Sequence, residues 1–237
     1  LVLGQPGFKR EYIDWCLFHV EQNFQESRLN YFHALKQRNT ILKTKKNIDQ
    51  IPYWNNYLIK HGIDIYHLRK NYINEIWNII NTNLFDLISD LSLSISYIPG
   101  WSRSHQLEDI YSDTKRDLYL GYTRYGIHRD DIELLTDSLP VKTVLSRGQL
   151  KRLSICLILA QLILLKQHTN KSLILLLDDI GSEFDEIAIK KVFYFLKSIE
   201  IQVFVSSLTI SENLLSESKE YKMFHVEHGM IKPVKNQ

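Results

Sequence analysis

Two neighbouring carboxylates follow an apolar run in the second half of the chain, where they could bind a metal ion and activate water. Residues 173–177 are Leu-Ile-Leu-Leu-Leu, and Asp178 and Asp179 come directly after them. Such a run is typical of a buried parallel strand, and open α/β sheets bind ligands at the carboxyl ends of their strands. We expect Asp178 to hold Mg²⁺ and Asp179 to orient or deprotonate an attacking water. A solvated strand end is the alternative that these two residues alone leave open.

A polar segment ahead of this run could receive a phosphate group. Its candidate residues are Ser146, Arg147, Gly148, Gln149 and Lys151. The serine and the glutamine have the spacing of a capping box, directly before an apolar helical run. The glycine lets a ligand approach the backbone, the two cations add positive charge, and the free N–H groups of a helix start bind anions. The segment therefore predicts a seat for a terminal phosphate, and a helix that is only well capped is the alternative.

Two further features concern the completeness of this site. Ser182 and Asp185 follow the paired acids at a short distance, and we expect them to belong to the same site. The sequence contains no Gly-x-x-x-x-Gly-Lys-Ser/Thr phosphate loop, since residues 4–7 come nearest and no Lys-Ser/Thr follows them. We therefore expect that the chain cannot cradle the phosphates by itself. Because residue 1 is Leu rather than Met, we also expect the chain to begin inside a protein.

The first part of the chain has the pattern of a helical arm. Apolar residues recur at helical spacing over residues 8–46 and again over residues 53–87, and Pro52 interrupts the pattern between them. Two long helical stretches in succession predict an antiparallel hairpin. We assign residues 1–90 to an all-helical arm.

From residue 91 onwards the pattern becomes mixed. Apolar residues and serines alternate over residues 91–97, which predicts a strand. The other predicted elements are a helix over 106–118, strands over 119–125 and 132–135, a helix from 146, strands over 173–177 and 202–206, a helix over 186–198, and a closing hairpin of 222–227 with 230–234. The alternation of helices and apolar strands indicates an α/β fold with a parallel core over residues 91–237.

Composition excludes some classes of protein and leaves others open. The 237 residues are 44% hydrophobic and carry a formal net charge of +2, so any nucleic-acid surface has to be a local patch. Cys16 and Cys156 stand far apart in apolar surroundings, which predicts free buried thiols rather than a disulfide or a zinc site. Charged residues interrupt the longest apolar run, so we expect no membrane span.

Several segments taken together resemble one family, the RecF proteins, which are bacterial recombination mediators and SMC/ABC-like ATPases. The matching segments are residues 7–19, 36–39, 126–131, 145–151, 178–179, 182–185 and 222–229. Residues 145–151 correspond to the family's signature loop, Asp178 and Asp179 to its Walker B acids, and residues 182–185 to its D-loop. Ile127 stands where the family usually has Pro. The resemblance covers essentially the whole chain and implies a partial ABC/SMC-like ATPase head with a parallel sheet core plus an all-helical arm.

The resemblance also implies a function. Proteins of this family form ATP-dependent dimers that bind junctions of single- and double-stranded DNA, and with RecO and RecR they promote RecA loading at gaps in the SOS response. It implies ATP and Mg²⁺ as cofactors, a cytoplasmic location, and a signature loop that acts on ATP bound to the opposite subunit. A weak ATPase activity is expected only when the missing Walker A lobe is supplied.

Two questions stay open at the level of sequence. Lys36, Lys43, Lys45 and Lys46 on the arm are candidates for DNA phosphate contacts, although such charges also occur on solvated helix faces. A truncated or decayed RecF fragment that acts only as a non-catalytic interaction module is the alternative function. Another ATPase head, of AAA or ABC-exporter type, would account for the acids but not for residues 126–131 or the short arm.

Overall fold

The computed structural model describes residues 2–102, 104–111, 114–184, 186–199, 201–208 and 221–234. The chain divides into two compact units, Leu1–Lys171 and Ser172–Gln237. The predicted boundary between arm and lobe, after residue 90, falls inside the first unit. Both the strand that follows this boundary and the long helix near residue 150 pack on the arm, which explains why the compact unit extends to Lys171.

The arm consists of long helices. These are α1 (Pro6–Val20), α2 (Phe24–Thr44), α3 (Ile51–Asn83) and the short α4 (Phe85–Ile88). Proline stands in the first turn of α1 and of α3, where its missing N–H costs nothing. Lys45 and Asn47 adopt left-handed backbone conformations between α2 and α3, and a 3-10 helix, Ile48–Gln50, completes the reversal. The predicted helical hairpin is confirmed, with α1 as an additional helix ahead of it.

A small antiparallel sheet and further helices complete the first unit. The strands are β1 (Leu93–Ile98), β2 (Asp131–Thr136) and β3 (Leu139–Pro140), and the helices are α5 (Leu107–Ile110), α6 (Thr114–Leu120), α7 (Val141–Val144) and α8 (Arg147–His168). β2 pairs with β1 on one side and with β3 on the other, in a register that sets Ile95 opposite Leu134.

The strand predicted over residues 119–125 is wrong. Helix α6 continues to Leu120, and a left-handed Gly121 then turns the chain. Thr123 donates its backbone N–H to the side-chain oxygen of Asn39 on α2, over 2.8 Å, so that a side chain takes the place of a strand partner. For this reason residues 132–135 find their partner in β1 instead.

Helix α8 is long and apolar enough to span a membrane by composition, contrary to the expectation from the sequence, but 61% of its most apolar window is buried within the protein. Leu153, Cys156, Leu159 and Ala160 have essentially no exposed surface. This burial is typical of a core helix. Cys16 and Cys156 are both free and buried, as predicted, and burial raises the pKa of each thiol to about 12.

Among its described residues, the second unit contains two separate two-stranded sheets. β4 (Ile174–Leu177) leads through α9 (Ile180–Glu183) and α10 (Glu186–Ser198) to the parallel strand β5 (Gln202–Val205). β6 (Met223–Glu227) and β7 (Met230–Val234) form an antiparallel hairpin, whose turn residues His228 and Gly229 both have positive φ. The predicted parallel pair and the closing hairpin are confirmed. One face of the parallel pair leaves Ile174, Leu176 and Phe204 more than half exposed.

Candidate nucleotide site

The paired acids lie at the carboxyl end of β4, as the apolar run predicts. Asp178 is exposed and Asp179 is partly buried. Asp179 has φ 47° and ψ 45°, a left-handed conformation that aspartate tolerates better than most residues. This conformation turns the chain sharply from β4 into α9, so that the two carboxylates stand at the strand end instead of continuing the strand. Strained residues of this kind cluster at functional sites.

Ser206, directly after β5, holds the two acids in place. Its backbone N–H donates to the carbonyl of Leu177 over 2.9 Å, and its own carbonyl accepts from the N–H of Ile180 over 3.1 Å. Its hydroxyl accepts the backbone N–H of Asp179 over 2.8 Å and donates to the carboxylate of Asp178. One residue just beyond the neighbouring strand thus fixes the backbone on both sides of the acids and orients one carboxylate.

Residues 146–151, the segment predicted to receive a phosphate, form the N-cap and first turns of α8 and have the predicted capping box. The backbone N–H of Ser146 donates to the side-chain oxygen of Gln149 over 2.9 Å, and the N–H of Gln149 donates to the hydroxyl of Ser146 over 3.3 Å. Ser146, Arg147 and Gly148 are exposed, and a Cβ added to Gly148 would meet no atom within 4 Å. The helix start is therefore open to a ligand as large as a phosphate group.

An ion pair stabilises this helix start, and the sequence analysis did not predict it. Arg152 donates two hydrogen bonds to Asp90, over 3.0 and 2.6 Å, and a third to the carbonyl of Leu87 over 3.3 Å. The Arg152 guanidinium holds the pKa of Asp90 below its usual range. Because the partners are far apart in sequence, no local pattern could have predicted this contact. It ties the first turns of α8 to the segment between α4 and β1.

The Gly-Ile-His-Arg-Asp-Asp segment, residues 126–131, is a buried junction between the arm and the small sheet. Asp130 accepts hydrogen bonds from Arg69 of α3, over 2.6 Å, and from the hydroxyl of Tyr97. The same arginine donates two bonds of 2.9 Å to Asp14 of α1. Arg69 is fully buried, so that two carboxylates compensate one enclosed cation. The segment therefore connects α1, α3 and β1.

His128 of this segment is enclosed as a neutral imidazole. Its Nε2 lies 3.2 Å from the carbonyl of Thr123, and its Nδ1 lies 2.9 Å from the hydroxyl of Tyr31. Since a carbonyl only accepts, Nε2 carries the proton and Nδ1 accepts from the tyrosine. Burial lowers the pKa of His128 to about 4. We therefore assign this histidine a structural role.

Comparison with known proteins identifies the family. No protein-family model matches the chain. The DNA replication and repair protein RecF of Aliivibrio salmonicida (strain LFI1238) is 36% identical over 232 residues, which make up 98% of this chain and 65% of that protein. RecF of Acinetobacter baumannii (strain AB307-0294) is also 36% identical, over 230 residues that make up 94% of this chain and 63% of that protein. The chain belongs to the RecF family.

The fold is that of RecF as well. A solved structure described as the recombination mediator protein RecF-ATP in the RecFOR pathway superimposes with a TM-score of 0.80 at 24% identity, covering 99% of this chain and 64% of that one. A second, described as RecF-ATPrS in the same pathway, gives a TM-score of 0.76 at 25% identity. The chain thus has the fold of an ABC/SMC-like ATPase, and it spans about 65% of the length of the RecF proteins that it matches.

The RecF site residues are only partly described. Asp185 and the side chain of Ser182 lie outside the described part of the structure, so the D-loop stays a prediction. Among the residues that the structure describes, no group of three or more His, Cys, Asp or Glu side chains could hold a metal ion. Mg²⁺ at phosphate sites keeps several waters and needs only one or two protein carboxylates besides phosphate oxygens. The single oriented carboxylate of Asp178 fits that requirement.

The four lysines proposed for DNA contact are all exposed on the arm. Lys36 and Lys43 lie on α2, seven residues apart and therefore on the same face of the helix. Lys45 and Lys46 follow in the reversal between α2 and α3. Their exposure is compatible with phosphate contact and equally with a solvated surface, so their role in this RecF-family chain stays a prediction.

Proposed function

We propose that this chain forms the part of a RecF-type DNA repair ATPase that carries the signature loop and the Walker B acids. The arrangement of Ser206, Asp178 and Asp179 carries the proposal, because it places two carboxylates at the end of a parallel strand and orients one of them, in a chain of this family. Asp178 would hold Mg²⁺, and Asp179 would accept a proton from the attacking water. A magnesium ion supplies charge stabilisation to the transferred phosphate.

The signature loop would act on a nucleotide bound to a second copy. The N–H groups and the positive end of α8, with Ser146, Arg147, Gly148, Gln149 and Lys151 in its first turns, would face the terminal phosphate of that nucleotide. ATP would then join two copies, and its hydrolysis would release them. The open space beside Gly148 supports this role, since the helix start accommodates an approaching ligand.

A phosphate-binding lobe would complete the site. Parallel sheets are normally covered on both faces, yet Ile174, Leu176 and Phe204 of the β4–β5 pair are more than half exposed. A lobe that bears the phosphate loop, of the kind found in ABC-type ATPases, would add strands to this sheet and cover that face. We therefore expect weak ATPase activity only when such a lobe is present.

The assembled protein would act in the cytoplasm on junctions of single- and double-stranded DNA. With RecO and RecR it would promote RecA loading at gaps, as part of the SOS response. The exposed lysines of α2 and of the reversal after it, Lys36, Lys43, Lys45 and Lys46, support a phosphate contact along the arm.

Nucleotide binding is the decisive test. The chain would be titrated with a fluorescent ATP analogue and Mg²⁺, alone and together with the phosphate-loop segment of a RecF relative, while binding and mass are followed. We expect saturable binding and a doubled mass only in the mixture. In that mixture, Asp179→Asn should abolish turnover and prolong the dimer, because bound ATP is not hydrolysed. Glu186→Gln, which alters an exposed acid on α10, should leave turnover unchanged.

Two results would contradict the proposal. Unchanged turnover in Asp179→Asn would remove this residue as the base. Absence of nucleotide binding even in the mixture would favour the non-catalytic interaction module instead.

A further inference from the structure

An open depression of about 510 Å³ lies on the first unit, and none of the described residues that line it belongs to the paired acids or the signature loop. Residues lining it include Gly100, Trp101, Tyr122, Arg124, Tyr125 and Arg129. Its walls therefore consist largely of aromatic rings and guanidinium groups, and none of the described residues that line it is acidic. This volume is in the range of ordinary ligand sites, roughly 300–1,000 Å³.

We propose that this depression binds unpaired nucleotides of single-stranded DNA, with bases stacked on its rings and phosphates paired with its arginines. The proposal rests on the DNA-binding function proposed above and assigns the single-stranded part of the substrate to a defined surface. Proteins that bind single strands combine aromatic stacking with a positive surface that follows the backbone.

Close packing of two loops builds the depression. A Cβ on Gly100 would overlap the carbonyl oxygen of Gly126 and lie 2.8 Å from the Cβ of Arg129, so only glycine fits at this position. The N–H of Gly126 donates to the carbonyl of Gly100 over 3.2 Å. This contact holds Trp101, the next residue, beside the segment that carries the tyrosines. The indole also packs on the ring of Tyr66, with centroids 5.4 Å apart.

Both arginines of the depression lie against tyrosine rings. The guanidinium of Arg129 lies 5.8 Å from the ring centroid of Tyr122, and that of Arg124 lies 5.0 Å from that of Tyr125. Both tyrosines are 43% exposed. Arg124 also pairs with buried Asp117 over 2.6 Å, whereas Arg129 is itself exposed. Arg129 is therefore the cation best placed for a phosphate, and Tyr122 beside it for a base.

The loop that carries Tyr122 packs against the basic face of α2. Asn39 accepts the backbone N–H of Thr123 over 2.8 Å, and a Cβ on Gly121 would lie 3.8 Å from the Cα of Lys43. Lys36, Asn39 and Lys43 share one face of the helix, since they stand three, four and seven residues apart. A strand that leaves the depression along this face would meet the exposed lysines. The two features together would give such a strand a positive path with an aromatic end.

This chemistry favours single strands over duplex DNA and over a protein partner. Bases in a duplex are stacked on one another, so they present no free face to a tyrosine or an indole. A duplex would use only the cations, and its affinity would not depend on the rings. The absence of acids from the described lining favours a polyanion over a mixed protein surface.

The test compares single-stranded and duplex binding by Tyr122 variants of the whole chain. Fluorescence anisotropy would be measured with labelled oligo(dT) and with a blunt duplex of equal length. Tyr122→Ala should weaken oligo(dT) binding about tenfold, as expected for the loss of one stacked base, and should leave duplex affinity unchanged. Tyr122→Phe should retain the affinity, because it keeps the ring. Tyr194→Ala, which removes a 76% exposed tyrosine from the second unit, serves as the matched control.

Two additional readouts do not depend on the folding of that variant. Arg129→Gln should lower the slope of log affinity for oligo(dT) against log salt concentration by about 0.7, the value for one lost phosphate contact on a single strand. Oligo(dT) should also quench the tryptophan fluorescence of the chain, and Trp101→Phe should abolish the quenching.

The outcomes separate this inference from the function on which it rests. If the chain binds duplex DNA but Tyr122→Ala and Arg129→Gln leave oligo(dT) binding unchanged, the depression is not the single-strand site. The same result would be obtained if the depression served a protein partner. If the unaltered chain binds neither oligonucleotide, the DNA-binding part of the proposed function fails together with the inference.

Discussion

The two compact units differ in how completely their charged and apolar side chains are paired or covered within the unit. In the first, Arg38 and Arg69 are completely enclosed, and Arg38 pairs with one carboxylate and Arg69 with two, all from distant segments. In the second, the parallel sheet exposes apolar side chains on one face, and Ser206 forms a hydrogen bond with each of the paired acids. The signature loop therefore belongs to a unit whose enclosed arginines are paired within it, whereas the Walker B acids belong to a unit whose sheet is only half covered.

This difference shows that a site can have ordered side chains and still belong to a unit that needs a further covering element. A buried charge network is costly to disrupt, because removing one partner leaves the other charge enclosed without compensation. A sheet of two strands with an open face gains little from burial and depends on whatever covers it. We therefore expect stability to be concentrated in the first unit and sensitivity to an additional covering lobe in the second.

Replacing Arg69 should give the largest loss of stability in the molecule. Arg69→Met keeps much of the side-chain volume but removes the buried cation that Asp14 and Asp130 share, which should cost about 3–5 kcal/mol of unfolding free energy. Arg28 still pairs with Asp14, so Asp130 loses the most. Urea denaturation followed by circular dichroism would measure it. Lys70→Met, the neighbouring exposed position on α3, should change stability little. Equal losses in the two variants would show that the network does not dominate the first unit.

Acid should weaken the first unit through His128. The folded-state pKa of about 4 lies below the ordinary value of 6.5. Between these two pH values the imidazole is therefore protonated in the unfolded chain and neutral in the folded one. Stability contributed by the neutral ring is present above pH 6.5 and is lost as the pH falls towards 4, by about 2 kcal/mol between pH 7 and pH 5. Urea titrations at both pH values would measure the loss.

A glutamine at this position provides the comparison. His128→Gln should remove this part of the acid dependence, while His105→Gln, at an exposed histidine, should retain it. An undiminished acid dependence in His128→Gln would assign the effect to other groups.

Two adjacent leucines of β4 test whether one face of this strand is open. The expected changes in stability are the smallest of those predicted here. Leu175 is 8% exposed and Leu176 is 72% exposed, on opposite faces of the strand. Leu175→Ala should destabilise the sheet by about 2 kcal/mol, and Leu176→Ala by less than about 0.5 kcal/mol. Hydrogen exchange of the β4 and β5 amides would measure both. Comparable losses would mean that both faces are covered, and the contrast between the units would disappear.

Local patterns predicted the elements whose residues determine them locally. Ser146 and Gln149 predicted the capping box because its partners are three residues apart, and alternation over residues 91–97 predicted β1. The apolar run 173–177 predicted β4 with the acids at its end, but the burial expected of both faces was wrong, since Ile174 and Leu176 are exposed. The closing hairpin was equally local, because its turn is formed by His228 and Gly229.

Other features depend on contacts that sequence spacing does not encode. Residues 119–125 have the composition of a strand, but the bond from Thr123 to Asn39 crosses 84 positions and determines their path. The pairing of Arg69 with Asp14 and Asp130 likewise joins residues 55 and 61 positions apart. The contact of Ser206 with Asp178 spans 28 positions. Each depends on which elements come together in the fold, which only the tertiary structure reveals.

Ser206 follows β5, whereas the acids follow β4. The register between these two strands therefore determines whether the serine can hold the acids in place. Side chains alternate between the faces of a strand, so a slip of β5 by one residue along β4 would turn the serine hydroxyl to the opposite side. Such a slip would break the bonds to Asp178, Asp179 and Ile180 together. Additional strands that fix this alignment would therefore set the geometry of the carboxylates without touching either of them.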